Sequence, residues 1–352
     1  MAGEIPIKNI YYLLSYAWDY LPEAGEVDVL AEDAHSLDEL FARVLTNGTS
    51  HLLRQGLDRD YILHREETSR LRGRFDLTAS FSRQSMQLGR MICEFDDLSH
   101  NVLHNRILKT TLERLAPNPN LSKETRKLLH QQIQTLRPIT SIRITSRVFR
   151  RIRLHRNNRQ YRLLLNICEL IHDSLLPTQL EGHSRFRDFI RDEKTMPRLF
   201  EAFIHNFYKR HTAFTVSAAQ LKWNIDADQD AADLVPKMIT DVSLYSPERQ
   251  IILDCKFYKN AFKENYGKHR FNRDHLFQLF AYMENAGHHK GWHQVEGILL
   301  YPAVNHDFQH QITLNGHPLQ FASIDLNQSW QEIEMQLLER LKPQTEATSS
   351  HT

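Results

Sequence analysis

The chain has 352 residues, a hydrophobic fraction of 41% and a formal net charge of +1. This length exceeds that of one typical domain, so two domains are expected. The near-neutral charge excludes a protein that coats nucleic acid through overall positive charge, and any such affinity must come from local patches. Three cysteines without CxxC spacing argue against structural zinc and indicate a reducing, cytoplasmic location. No stretch approaches the roughly 20 apolar residues of a membrane span.

The first half is predicted to form helices and short strands. Apolar residues at helical spacing predict a helix over 9–21. A second predicted helix follows Ser36, where Glu39 would complete a capping box, and ends before Gly56. Alternating residues predict short strands within 59–95.

Three acids end this strand region. Glu94, Asp96 and Asp97 are consistent with a metal site or with a solvated strand-to-helix turn. The solvated interpretation is favoured, and Ser99 is expected to cap the helix that contains Asn105. Further helices are predicted from Ser122 and from Tyr161.

A basic stretch precedes the last of these helices. It contains no acid and eight arginines: Arg143, Arg147, Arg150, Arg151, Arg153, Arg156, Arg159 and Arg162. Alternation over 151–155 predicts a strand with one basic face. The stretch could bind phosphates or a partner, although a solvated face is the usual explanation of such a charge run.

The polar segment 178–184 is the expected domain boundary. We expect an α+β N-terminal domain over 1–180, an α/β domain with a mixed sheet flanked by helices over 181–342, and a disordered tail over 343–352. In the second domain, a predicted helix from Thr195 carries Glu201 beside its buried stripe. A later apolar helix, 276–283, carries Gln278 and Tyr282 four residues apart on one face.

A predicted hairpin lies between these two helices. A turn at 246–249 joins two apolar strands, and pairing Tyr245 with Gln250 places Asp241 opposite Asp254. Lys256 is two residues from Asp254 and therefore shares its face. Two carboxylates and a lysine can hold Mg²⁺ and orient an attacking water. From the hairpin alone, an ordinary Asp–Lys ion pair explains the pattern equally well.

The order of these elements resembles the PD-(D/E)XK nuclease superfamily over about residues 195–305. The resemblance implies that Asp241 and Asp254 are Mg²⁺ ligands and that Lys256 is the catalytic lysine. Thr240 stands where many members have proline. The implied supporting residues are Glu201, as a further metal ligand, Gln278 and Tyr282. The basic connection after the hairpin provides candidate contacts to DNA: Lys259, Lys263, Lys268, His269, Arg270 and Arg273.

The opening segment 5–18 is similar to the start of the McrC family, the nuclease subunits of McrBC modification-dependent restriction systems. Further similarities lie at 73–76, 95–98, 105–109, 221–223 and 301–302. This resemblance implies an N-terminal domain that docks on a ring-forming, McrB-like AAA+ GTPase and stimulates it. It also implies a C-terminal endonuclease domain that cuts double-stranded DNA at sites with modified cytosine. The sequence contains no GxxxxGK[ST] phosphate-binding loop, so GTP would be bound by another chain.

Two alternatives remain open from the sequence. The chain could activate the GTPase as a non-cutting adaptor, although the intact Asp241, Asp254 and Lys256 argue against this. It could also be a nuclease of the same fold in a related system that reads an unmodified sequence.

Overall fold

The computed structural model describes residues 5–19, 34, 36–174, 195–225, 234–257, 262–265, 268–287, 295–303 and 307–342. Within them the helices are α1 (Ile7–Ala17), α2 (Leu37–Gln55), α3 (Leu77–Ser82), α4 (Leu103–Leu115), α5 (Lys123–Thr135), α6 (Ser146–Phe149), α7 (Tyr161–Ser174), α8 (Thr195–His211), α9 (Arg273–Gly287) and α10 (Trp330–Glu339). The strands are β1 (Asp60–Thr68), β2 (Arg74–Phe75), β3 (Met91–Ser99), β4 (Thr215–Ser217), β5 (Gln220–Leu221), β6 (Met238–Ile239), β7 (Val242–Tyr245), β8 (Gln250–Cys255), β9 (Phe262–Asn265), β10 (Lys268–Phe271), β11 (Glu296–Ala303), β12 (Gln309–Leu314) and β13 (His317–Asp325). None of the helices in these residues is both long and apolar enough to cross a membrane.

The chain folds into two compact units. The sheet unit comprises Met1–Asp33 and Asp188–Thr352, and the central unit comprises Ala34–Arg187. The expected boundary at 178–184 and the expected tail 343–352 both lie outside the described residues. Helix α1 was expected in the N-terminal domain, but it belongs to the sheet unit. Apolar spacing shows that a helix buries one face, but it does not show which distant element covers that face.

Helix α1 packs along α8 within the sheet unit. The Tyr12 ring stacks on Trp330, with 4.6 Å between ring centroids. The Asn9 side-chain amide donates a hydrogen bond of 2.8 Å to the Leu326 carbonyl oxygen. The first helix of the chain is therefore joined to residues more than 300 positions later.

The helical core of the central unit is formed by α2, α4, α5 and α7. Ser36 caps α2 as predicted, since its hydroxyl accepts a hydrogen bond from the Glu39 N–H at 3.2 Å. The Glu39 carboxylate does not complete the capping box. It accepts hydrogen bonds from the Ser122 N–H and hydroxyl, the Thr125 hydroxyl and the Arg43 guanidinium, over distances of 2.6–2.9 Å. Glu39 therefore ties α2 to the N-terminus of α5.

The central unit also contains an antiparallel sheet with strand order β1-β3-β2. Asp96 and Asp97 lie within β3 and are exposed, so they do not form the expected turn. Glu94 lies 3.4 Å from Arg65, and Asp97 lies 3.7 Å from Arg72. The exposure of Asp96 and Asp97 and the ion pairs of Glu94 and Asp97 with arginines support the solvated interpretation of these acids.

Two other local predictions in the central unit were wrong. The residue that precedes α4 is Val102, and the Ser99 hydroxyl instead accepts a hydrogen bond from the Asn101 N–H at 3.1 Å. Residues 151–155 do not form a strand, but connect α6 to a 3₁₀ turn at Arg156–Asn158. The alternation of arginine with apolar residues misled the prediction, because an irregular segment with every second side chain partly buried shows the same alternation as a strand.

The sheet unit contains a mixed six-stranded sheet of order β12-β13-β11-β8-β7-β4. Strand β11 runs parallel to β8 and β13, and the other pairs are antiparallel. Helix α8 packs on β7 and β8, while α9 packs on β8 and β11. A Cβ atom on Gly297 would lie 2.3 Å from the Met283 sulfur, so this glycine allows α9 to lie close to β11. The mixed sheet with flanking helices was expected, but β4 and β12 were not predicted.

Candidate active site

The hairpin that carries the candidate residues has the predicted register. Tyr245 pairs with Gln250 and Val242 pairs with Leu253. Asp241 directly precedes β7 and therefore continues this register opposite Asp254. The turn is closed by the Ser246 N–H, which donates to the Arg249 carbonyl oxygen at 2.8 Å.

Asp254 lies in a central strand of the sheet, and its side chain is 0% exposed. Its Oδ2 is 2.8 Å from Lys256 Nζ. Within the described residues, Oδ1 has no hydrogen-bond partner. Burial raises the pKa of Asp254 to about 6, although the Lys256 charge opposes the rise. A buried carboxylate with an unsatisfied oxygen is costly without a cation, and this observation fits a bound metal ion.

Asp241 is half-buried, and its Oδ2 accepts a hydrogen bond of 2.8 Å from the Cys255 N–H. Burial raises its pKa, while that hydrogen bond and the Lys256 charge oppose the rise. The backbone of β8 thus holds the Asp241 carboxylate, and β8 itself carries the other carboxylate, that of Asp254. The strand pairing brings Asp241, Asp254 and Lys256 together, as predicted.

Thr240 accounts for the absence of proline before Asp241. Its N–H donates to the Ala219 carbonyl oxygen at 3.0 Å, a bond that proline cannot make. Its hydroxyl accepts a hydrogen bond from the Ala219 N–H at 2.9 Å and lies 2.8 Å from the Ser243 hydroxyl. Thr240 therefore anchors the segment that positions Asp241. This role was not predicted, and the position directly before Asp241 is the one sequence signal that points to it.

Helix α9 supplies a chain of hydrogen bonds to the lysine. Lys256 Nζ donates to Gln278 Oε1, and Gln278 Nε2 donates to the Tyr282 hydroxyl, both at 2.9 Å. Burial raises the pKa of Tyr282, so the phenol stays protonated at neutral pH. Gln278 and Tyr282 thus lie beside the hairpin, as the sequence predicted. Their hydrogen bonds fix the direction of the ammonium group.

Glu201 lies on α8 near both carboxylates. Its pKa is raised to about 7, mainly by burial and also by the charges of Asp241 and Asp254, while the Lys256 charge opposes the rise. Among the described residues, however, no group of three or more His, Cys, Asp or Glu side chains is arranged to hold a metal ion. Mg²⁺ is commonly bound through one or two carboxylates together with water and substrate phosphates. Asp241 and Asp254 fit that donor set, and the role of Glu201 as a further ligand stays a prediction.

Comparisons with known proteins match nearly the whole chain. A family model described as the McrBC 5-methylcytosine restriction system component matches residues 7–302. The chain belongs to this family. An Escherichia coli (strain K12) relative, the type IV methyl-directed restriction enzyme EcoKMcrBC, is 31% identical over 337 residues, which are 95% of this chain and 97% of the relative. These matches confirm the McrC resemblance, and the family match includes every predicted site residue from Glu201 to Tyr282.

A solved structure shows the same overall fold. It is a half-complex from a tetradecameric assembly of Thermococcus gammatolerans McrB AAA+ hexamers with bound McrC. The TM-score is 0.56 at 17% sequence identity, and the alignment covers 96% of this chain and 76% of the other. At this identity the likeness establishes the fold alone.

The basic connection after the hairpin is only partly described. Lys259 lies outside the described residues. Strands β9 and β10 form a two-stranded ribbon in which Lys263 pairs with Arg270 and Asn265 pairs with Lys268. The last candidate, Arg273, is exposed and lies over the ring of Phe277, 5.8 Å from its centroid. The roles of Lys259, Lys263, Lys268, His269, Arg270 and Arg273 in DNA binding stay predictions.

Proposed function

We propose that the chain is the DNA-cleaving subunit of a GTP-dependent restriction complex directed to modified cytosine. The observation that carries the proposal is the convergence of Asp241, Asp254 and Lys256 at the sheet, in a member of a restriction system family. The reaction is metal-dependent hydrolysis of a phosphodiester bond. Carboxylates and a lysine are the groups that this chemistry requires, because charge develops on the phosphate oxygens in the transition state.

Each residue of the site has a distinct role. Asp241 and Asp254 hold Mg²⁺, which when bound supplies positive charge for the phosphate and acidifies a water molecule. Lys256 presents its ammonium group to the same place, where it orients the attacking water and stabilises negative charge on the phosphate. Gln278 keeps that ammonium group aligned, and Tyr282 in turn holds the Gln278 amide. Burial of Asp254 excludes bulk water and strengthens these interactions.

The proposed partner is an McrB-like AAA+ GTPase ring. The support is the family match and the Thermococcus structure, which contains McrB AAA+ hexamers with bound McrC. In this arrangement the partner binds GTP and recognises the modified site, and this chain stimulates GTP hydrolysis and cuts double-stranded DNA.

The test is reconstitution of the full chain with an McrB-like AAA+ GTPase. Plasmid DNA with and without 5-methylcytosine is incubated with GTP and Mg²⁺, and cleavage and GTP hydrolysis are both measured. We expect cleavage of modified DNA only, and the Asp254→Asn chain should retain GTPase stimulation without cutting. Cutting by that variant at the wild-type rate would refute the site assignment. Cleavage of unmodified DNA would refute the proposed specificity.

A further inference from the structure

The arginine-rich stretch of the central unit has a shape that the sequence did not predict. It folds as α6, an irregular segment and a 3₁₀ turn that leads into α7. The eight arginines between Arg143 and Arg162 are all exposed. Three of them, together with His155 and Leu154, line an open cavity of about 440 Å³: Arg156, Arg159 and Arg162. We call this cavity the arginine pocket.

Among the residues that the structure describes, no acid is paired with the arginines of this pocket. Within the described residues, the guanidinium groups of Arg156, Arg159 and Arg162 take part in no hydrogen bond or ion pair, and no acid lies between 143 and 162. Holding like charges close together costs free energy; water and salt reduce this cost at exposed side chains, and a bound polyanion would reduce it further. The pocket is therefore built to receive negative charge.

A buried polar network holds the backbone of the pocket in place. Asn158 is 1% exposed, accepts a hydrogen bond from the His155 N–H at 2.7 Å and donates to Asp58 Oδ2 at 2.9 Å. The Tyr161 hydroxyl donates to Asn105 Oδ1 at 2.7 Å and accepts from the Asp58 N–H at 3.1 Å. Because Asn158 and Tyr161 are locked between the arginines, the loop presents the guanidinium groups from a rigid base. Such preorganisation lowers the entropic cost of binding.

The start of α7 adds to the positive potential. This helix has 14 residues and no acid in its first turn, where Arg162 stands instead. The N-terminus of a helix carries partial positive charge, so a cation there is unfavourable unless an anion lies between the two. The helix end and the three guanidinium groups thus select the same type of ligand.

We propose that the arginine pocket binds the sugar-phosphate backbone of double-stranded DNA. Its lining consists of three arginines, one histidine and one leucine, a set that suits phosphate oxygens and has little surface on which a base or a nucleotide could be buried. Contacts of this kind position DNA without reading its sequence. The proposal rests on the proposed function, because DNA is the substrate of that reaction. It places a second contact to the substrate on the unit that does not carry the catalytic residues.

The experiment measures binding of a fluorescent 30-base-pair duplex to the full chain by anisotropy, in EDTA and at several salt concentrations. EDTA prevents cleavage, so the result does not depend on whether the chain cuts DNA. The test variant is Arg156→Ala, Arg159→Ala, Arg162→Ala. The matched control is Lys123→Ala, Lys127→Ala, Arg137→Ala, which removes three exposed charges from the same unit. All these side chains are exposed, and thermal melting verifies that both variants are folded.

We expect the test variant to bind the duplex at least about tenfold more weakly at 0.1 M salt, and the slope of log K against log salt to become less steep by about 2 to 3. The control should change affinity less than about threefold. Equal loss in both variants, unchanged affinity in the test variant, or no duplex binding by the wild-type chain at 50 mM salt would overturn the proposal. If the test variant binds the duplex as the wild type does but no longer binds the AAA+ protein, the pocket is a binding site for that protein instead. Competition by GTP but not by unlabelled duplex would assign it to a nucleotide.

Discussion

Two buried carboxylates, one in each unit, have pKa values shifted in opposite directions. Glu39 in the central unit is 3% exposed, and burial alone would raise its pKa, but hydrogen bonds from Thr125, Arg43 and Ser122 outweigh burial and lower the pKa to about 2. Asp254 in the sheet unit is 0% exposed, and burial raises its pKa to about 6 because Lys256 compensates only in part. A satisfied buried acid stabilises a fold, whereas an unsatisfied one is kept at a cost and indicates a site of function.

The largest effect expected from this contrast is that of Asp254→Asn. Cleavage of DNA should fall by roughly 10³-fold, because a carboxylate essential to the site is lost. The melting temperature should stay the same or rise. The raised pKa means that the folded state binds more protons than the unfolded state near pH 4–6, so ionised Asp254 lowers stability at pH 7.

Cleavage assays and scanning calorimetry check both parts of this prediction. Asp274→Asn is the matched control, because Asp274 is an exposed acid at the start of α9. A melting temperature several degrees lower in Asp254→Asn would show that this carboxylate stabilises the fold after all.

Glu39→Gln should have the opposite profile. The free energy of unfolding of the central unit should fall by about 2 kcal/mol at pH 7, because several donors lose a charged acceptor. The folded pKa of Glu39 lies below the usual 4.5, so its stabilisation is present above pH 4.5 and is lost as the pH falls towards 2. Urea unfolding at pH 7 and pH 3 should therefore show a smaller difference from wild type at the lower pH. Glu67→Gln, at an exposed position of β1, should change the free energy by less than about 0.5 kcal/mol. Equal stability of Glu39→Gln and wild type at pH 7 would contradict the prediction.

Binding of Mg²⁺ should depend on pH through Asp254. With a pKa of about 6 the carboxylate is mostly ionised at pH 7 and mostly protonated at pH 5. Because a metal ion binds the ionised carboxylate, the apparent Kd for Mg²⁺ should rise about tenfold as the pH falls from 7 to 5. Titration calorimetry of the full chain with MgCl₂ measures this, with Asp254→Asn as the control that lacks the step. A Kd that is constant from pH 5 to pH 7 would separate Asp254 from the metal.

The smallest effect is expected at Thr240, which is 1% exposed. Thr240→Val keeps the shape but leaves the Ala219 N–H without its acceptor, which should shift Asp241 and reduce cleavage about threefold to fivefold. Thr240→Ser retains the hydroxyl and should recover most of the activity. If serine reduces the rate as much as valine does, keeping the hydroxyl does not restore cleavage, and the hydrogen bond from Ala219 does not explain the loss.

Local patterns predicted much of the candidate site. The Tyr245–Gln250 register follows from the turn at 246–249, and the position of Gln278 and Tyr282 on one face follows from helical spacing. Both depend on residues that are close in sequence. The capping of α2 by Ser36 was predicted for the same reason.

Contacts between distant residues could not be predicted in this way. Two partners of Glu39, Ser122 and Thr125, lie more than 80 positions away, so the sequence could not show that Glu39 bonds to them and does not complete the capping box. The Thr240 hydroxyl bonds to Ala219 through strand pairing that no periodicity reveals. The assignment of α1 to the sheet unit and the convergence of Arg156 and Arg159 on one cavity depend likewise on tertiary packing.

The packing of α1 has a consequence for synthesis of the chain. Its apolar face is synthesised before the residues that cover it, and Trp330, which stacks on Tyr12, is made more than 300 residues later. The whole central unit is complete before the sheet unit can close around its own first helix. A chain that ends before α10 therefore leaves the Tyr12 ring without its stacking partner Trp330. Completion of the sheet unit thus depends on the arrival of α10.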